Sequence, residues 1–142
     1  MKKVALIALA VSLAACKSQQ PKTVETADVM DYANTITPEE LKEHLYIFAS
    51  DEFEGRDTGE PGQKKAAEYL KKEYKELKIA SPMGGDDYFQ EIPGSYFTRG
   101  EIKDTENVLA FIEGSSIPEE VLVISSHYDH VGIDDQGRIY NG

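Results

Sequence analysis

The sequence predicts an α/β fold, and three observations predict it. Two stretches carry apolar residues at helical spacing, two later stretches are short, apolar and rich in β-branched residues, and histidines and an aspartate cluster where the second of those runs ends. Helices, then buried strands, then reactive side chains at a strand's C-terminal end is the order of an α/β domain with its site at the sheet edge.

The first helix is expected to begin at Thr37-Pro38-Glu39-Glu40. Thr37 can cap it, Pro38 suits its first turn and Glu40 returns the capping-box bond. Leu41, Leu45 and Phe48 then share a face. A second amphipathic helix is expected from about Gly62 to Leu77, with Ala66, Leu70, Tyr74 and Leu77 on one stripe. Ser50 to Pro61 is too rich in glycine and charge for core, and reads as an ordered loop. Ser81-Pro82-Met83-Gly84-Gly85 breaks the second helix, and Tyr88 to Ile92 reads as a short strand closed by Pro93-Gly94. Asn107 to Glu113 and Val121 to Ser126 are nearly continuous apolar runs, which predicts strands buried on both faces.

The N-terminus reads as an export signal. Lys2 and Lys3 precede an apolar stretch, Val4 to Leu13, too short to span a bilayer. Leu13-Ala14-Ala15-Cys16 resembles a bacterial lipobox, so residues 1–15 are expected to be cleaved and Cys16 to carry lipid. Cys16 is the only cysteine, so its acylation leaves no thiol here for a disulfide. Residues 16–36 are polar and aperiodic and read as a tether with room for a short helix near Val29 to Tyr32, and the domain is expected to occupy residues 37–142. The expected location is the periplasmic or cell-surface side of a bacterial membrane, held by the lipid.

Loss of Lys2 and Lys3 with the signal takes the formal charge from −11 to −13. An acidic exported domain without a basic patch is a poor match for nucleic acid, whose phosphates call for clustered Lys and Arg.

The chemistry is concentrated in Ser126-His127-Tyr128-Asp129-His130. In extended backbone, residues two apart share a face, so His127 and Asp129 point together while Tyr128 and His130 point away. A neutral imidazole binds zinc through one nitrogen, and a carboxylate on the other fixes its tautomer. His130 is turned aside by the same alternation. Asp134-Asp135-Gln136-Gly137 lacks the spacing of a calcium loop and reads as a hairpin turn with Gly137 at positive φ. Glu52, Glu54 and Asp57 read as solvated charges, Arg56 as a structural ion-pair former, and His44 as a residue of the first helix's polar side.

Ser126-His127-Tyr128-Asp129-His130-Val131-Gly132, followed by Gly137-Arg138-Ile139-Tyr140-Asn141-Gly142, resembles the first metal-site signature of the bacterial leucyl aminopeptidase-like zinc exopeptidases, metallopeptidase family twenty-eight of clan MH. Glu52-Phe53-Glu54-Gly55-Arg56 through Gly59, Pro61-Gly62 and Lys65-Ala66-Ala67 resembles that family's N-terminal loop and helix, and Asn107-Val108-Leu109-Ala110 its first core strand. The resemblance runs in order from about Thr37 to Gly142.

It implies the N-terminal part of a mixed sheet flanked by helices, with a two-zinc site hydrolysing N-terminal peptide bonds of peptides or proteins. His127 matches a zinc-binding histidine, and Asp129 the carboxylate that orients it. The family's bridging aspartate, paired glutamates, further carboxylate and distal histidine have no match within residues 1–142, so this chain is expected to be inactive alone. Glutaminyl cyclases share the fold and use one zinc. A non-catalytic surface lipoprotein is the alternative from a different class.

Overall fold

The computed structural model describes residues 28–98 and 100–142. The expected signal segment, Cys16 and most of the expected tether lie outside the described residues. The chain divides into two compact units, Met1–Ile36 and Thr37–Gly142.

In the first unit, α1 (Val29–Ala33) is one short helix whose N-cap Asp28 accepts from the Met30 amide at 3.0 Å. No described helix is long and apolar enough to cross a membrane.

The second unit opens with α2 (Pro38–Phe48), where Thr37 Oγ1 accepts from the Glu40 amide at 3.2 Å and Pro38 fills the first turn. Its apolar stripe is only partly used. Phe48 packs on Phe53 and Tyr69, with ring centroids 5.8 and 5.9 Å away, but Leu41 and Leu45 stay exposed. His44 has the partner that sequence alone left unseen: its Nδ1 lies 2.6 Å from the Tyr69 hydroxyl, tying α2 to the next helix.

α3 (Pro61–Glu76) is the organising element. Gln63, Ala66 and Ala67 are buried along it, and the small alanines let the preceding loop lie close. That loop, Asp51–Arg56, is two short 3₁₀ turns joined by a kink. Glu54, Gly55 and Arg56 take φ values of 53, 67 and 53° in succession. For the two non-glycine residues this conformation costs about 1 kcal/mol each, and the surrounding contacts hold it. Gly62 is required for the approach: a Cβ there would meet the Phe53 carbonyl oxygen at 2.0 Å.

β1 (Phe89–Ile92) and β2 (Thr105–Val108) form an antiparallel pair, with Phe89 opposite Val108 and Ile92 opposite Thr105. Tyr88 is buried at the start of β1, stacked on Tyr74 of α3. Helices and this small sheet give a mixed α/β composition.

Two strand expectations are corrected. The run expected at Asn107 to Glu113 is strand only as far as Val108, and begins two residues earlier, at Thr105. Beyond Val108 the amides of Leu109 and Phe111 still pair with the carbonyls of Tyr88 and Ala80, without a continuous ladder. Val121 to Ser126 forms no strand: Val121, Leu122, Val123 and Ile124 are 72 to 89% exposed. An apolar run becomes a strand only when a neighbour pairs its backbone and covers its side chains, and among the described residues none does.

Candidate functional site

The loop before α3 and the segment after Val121–Ser126 meet at the site. His130 donates its amide to the Arg56 carbonyl at 2.9 Å, and Gly132 to the Gly55 carbonyl at 3.0 Å. These two bonds lay residues 130–132 alongside residues 55–57, with Asp57 and His130 in a parallel bridge. The contact needs glycine on both sides. A Cβ on Gly55 would strike the Gly132 carbonyl at 2.4 Å, and one on Gly132 would strike Asp57 at 2.6 Å.

Arg56 locks this crossing. Its buried guanidinium donates to the carbonyl oxygens of Phe48, of Tyr128 at 2.9 Å and of Asn141 at 3.0 Å, and lies over the Phe48 ring. The ion-pair role expected for it is corrected: its hydrogen-bond partners are main-chain oxygens. Burial pushes its pKa down, and the nearby Asp129 carboxylate pushes it back up. One planar fork thereby joins the end of α2, the histidine segment and the stretch after the hairpin turn.

His127 and Asp129 come together as the alternation predicts, although the segment before them is not a strand. His127 Nδ1 lies 3.1 Å from Asp129 Oδ1 and 3.1 Å from the Asp129 carbonyl oxygen. Both partners only accept, so the tautomer that fits them carries its proton on Nδ1, and Nε2 has no hydrogen-bond partner among the described residues. The His127 side chain is 82% exposed, so Nε2 is open to a ligand. The other carboxylate oxygen of Asp129 accepts from Thr58 Oγ1 at 2.7 Å.

Tyr128 points the opposite way, into the polar floor of the site. Its hydroxyl donates to the Glu106 carbonyl at 2.7 Å and accepts from Gln63 Nε2. The Glu106 side chain is buried and paired with Lys64, and Gln63 also accepts from the Gly59 amide at 3.2 Å. Desolvation first, and the Glu106 charge second, push the Tyr128 phenol well above the ordinary tyrosine range. It is a neutral hydrogen-bonding strut between α3 and β2. A cleft of about 280 Å³ opens over this floor, with His127 and Asp129 among its walls.

The remaining candidates fall to structural roles. His130 is held by its main chain against Arg56, apart from the His127–Asp129 pair in bonding. Asp134 closes the expected turn, with Gly137 at φ 77° and Ile133 bridged to Ile139. Its carboxylate takes the Gln136 and Arg138 amides, Arg138 Nε and the Tyr140 hydroxyl. The Arg138 amide, followed by its guanidinium and the other donors, lowers the Asp134 pKa, and the four donors hold that carboxylate in the turn. Glu54 pairs with Lys65 on the surface, and Glu52 and Asp57 are exposed.

Thr58, Gln63 and Glu106 are the site residues that sequence reasoning missed. Each lies at least twenty residues from the histidine cluster, and only the folding of the loop onto residues 130–132 brings them near it. As for metal, His127 and Asp129 fit a single anchor with its orienting partner. Among the described residues no group of three or more His, Cys, Asp or Glu could hold a metal ion. Compared with known proteins, the chain matches no family model, no curated protein and no solved structure.

Proposed function

We propose that this chain is the N-terminal part of an exported, lipid-anchored zinc exopeptidase that removes residues from the N-terminus of peptides or proteins. The observation that carries the reading is the His127–Asp129 pair: Nδ1 engaged by acceptors on one side, Nε2 free and exposed on the other. This is the arrangement that a zinc-binding imidazole needs. Exposure of Val121 to Ile124 supports the view that more of the sheet belongs beside this segment, as the resemblance to metallopeptidase family twenty-eight implies. The membrane attachment rests on Cys16.

In this reading His127 would hold one of two zinc ions, and Asp129 would keep the ring oriented for it. Zinc, when bound, would lower the pKa of a water and polarise the scissile carbonyl. The chain's own residues contribute orientation. Arg56 sets the histidine segment against the loop, and Tyr128, the residue between ligand and orienter, ties that segment to the floor through its hydroxyl.

The test is to express the complete reading frame and assay an N-terminal aminoacyl substrate with and without a chelator. Activity should require metal. His127→Ala should reduce it by more than about 100-fold, Asp129→Asn by about 10- to 100-fold, and His130→Ala much less. A fully active His127→Ala protein sinks the reading. Metal-dependent closure of N-terminal glutamine in place of hydrolysis would reassign the reaction to a cyclase, and a protein that binds peptide without turnover would make it a binding lipoprotein.

A further inference from the structure

We infer that Thr58 is a positioning residue for the His127–Asp129 pair, its hydroxyl fixing the Asp129 carboxylate in the rotation that holds the His127 ring with Nε2 outward. An aspartate carboxylate turns easily about its terminal torsion, and a lone imidazole bond leaves that torsion soft. Here each oxygen has its own partner. Oδ1 faces His127 Nδ1 at 3.1 Å, and Oδ2 accepts from Thr58 Oγ1 at 2.7 Å. Two bonds from opposite sides define the carboxylate plane, and with it the plane of the ring.

Thr58 is itself well held. It follows Asp57, which bridges His130, and precedes Gly59, which is buried and gives its amide to Gln63. Glu60 closes the turn by donating its amide to the Asp57 carbonyl at 2.9 Å. A Cβ on Gly59, whose φ is 78°, would meet Lys103 at 2.9 Å, so the turn has little room to shift. The threonine methyl stiffens χ1 further. Order therefore passes from the rigid turn before α3, through one hydroxyl and one carboxylate, to an imidazole whose own side chain is largely in solvent. The His127 ring has no other side-chain hydrogen bond among the described residues; its Nδ1 is shared between the Asp129 carbonyl oxygen, at 3.1 Å, and the carboxylate, so the carboxylate is the one side-chain hold on it.

The inference draws its functional consequence from the metal reading above, but its test needs no metal. The probe is the ¹⁵N signals of the three histidines in the intact chain, read where imidazole is neutral, because ring-nitrogen shifts report which nitrogen carries the proton. In the wild type His127 should be mainly protonated on Nδ1. Thr58→Val keeps the shape and removes the hydroxyl, and should raise the share of the Nε2-protonated form several-fold. Thr58→Ser should restore the wild-type signal. His44 and His130 signals report that the fold is intact, and if Thr58→Val does not fold, Thr58→Ala against Thr58→Ser reads the same contrast. In an Asp129→Asn background, removal of the hydroxyl should have no further effect, since the route runs through the carboxylate. An unchanged His127 tautomer in the folded Val or Ala variant, or an undiminished effect without the carboxylate, overturns the inference. A tautomer shift in a protein whose complete form binds no zinc would leave Thr58 as a positioning residue and defeat the zinc reading instead.

Discussion

Two regions of the chain are comparably marked in the sequence and end differently in the structure. The loop and helix from Ser50 to Glu76 are polar on average, with few large apolar side chains, yet Phe53, Gly55, Arg56, Gly62, Gln63, Ala66 and Ala67 are all buried there. Val121 to Ile124 is wholly apolar and exposed. The difference lies in partners. The loop satisfies its backbone and its one buried cation through residues 128–141, and the small residues of α3 let it approach. The apolar run has no backbone neighbour among the described residues, so its hydrophobicity remains unspent. Burial follows from available complementary surface more closely than from local hydropathy.

The comparison is broken most severely at Arg56. Arg56→Ala should destabilise the chain by about 3 kcal/mol or more, because three carbonyl acceptors lose a charged donor and the Phe48 ring loses its cation. Arg56→Lys should recover only part of that, since an ammonium on a flexible stem cannot reproduce the planar fork. Urea unfolding midpoints measure both. Equal stability of wild type and Arg56→Ala would remove the loop from its place as the ordered region.

A smaller loss is expected at the floor of the site. Tyr128→Phe should cost about 1 to 2 kcal/mol at neutral pH, since the Gln63 amide and the Glu106 carbonyl each lose a partner. The pH dependence has a definite sign. The folded-state pKa of Tyr128 is raised above its ordinary value of 10.0, so the protonated phenol's contribution is complete below that value and is lost as pH rises through the higher folded value. Wild type should therefore weaken more than Tyr128→Phe between about pH 10 and pH 12. Parallel urea midpoints over that interval would mean that the phenol is not held in its neutral form.

The smallest effect belongs to the exposed run. Leu122 is 87% exposed, and Leu122→Ser should change stability by no more than about 0.5 kcal/mol. If the segment were packed as a central strand, the same change would leave a cavity and cost about 2 to 5 kcal/mol. Urea midpoints of the substituted and unsubstituted chain distinguish an uncovered run from a packed one.

Much of the local structure was legible. Thr37 and Pro38 announced α2, the alanine and tyrosine spacing announced α3, and Asp134 to Gly137 announced its turn, because caps, periodicity and positive-φ glycines act within a few residues. The His127–Asp129 pairing was legible for the same reason: two residues apart in extended backbone is a local geometry. Strand identity was not, since Val121 to Ser126 has the composition of a strand but needs a distant neighbour to become one.

The sequence by itself determined the helices, the turns and the pairing of one imidazole with one carboxylate, all set by interactions that reach no further than a turn of chain. Only the tertiary structure decided that Arg56 binds carbonyls in place of carboxylates, that His44 meets Tyr69, and that Thr58 stands against Asp129, 71 residues away. Contacts across such separations depend on how the glycines at positions 55, 62 and 132 let the chain cross itself, and nothing in the local sequence around Thr58 or Asp129 carries that information.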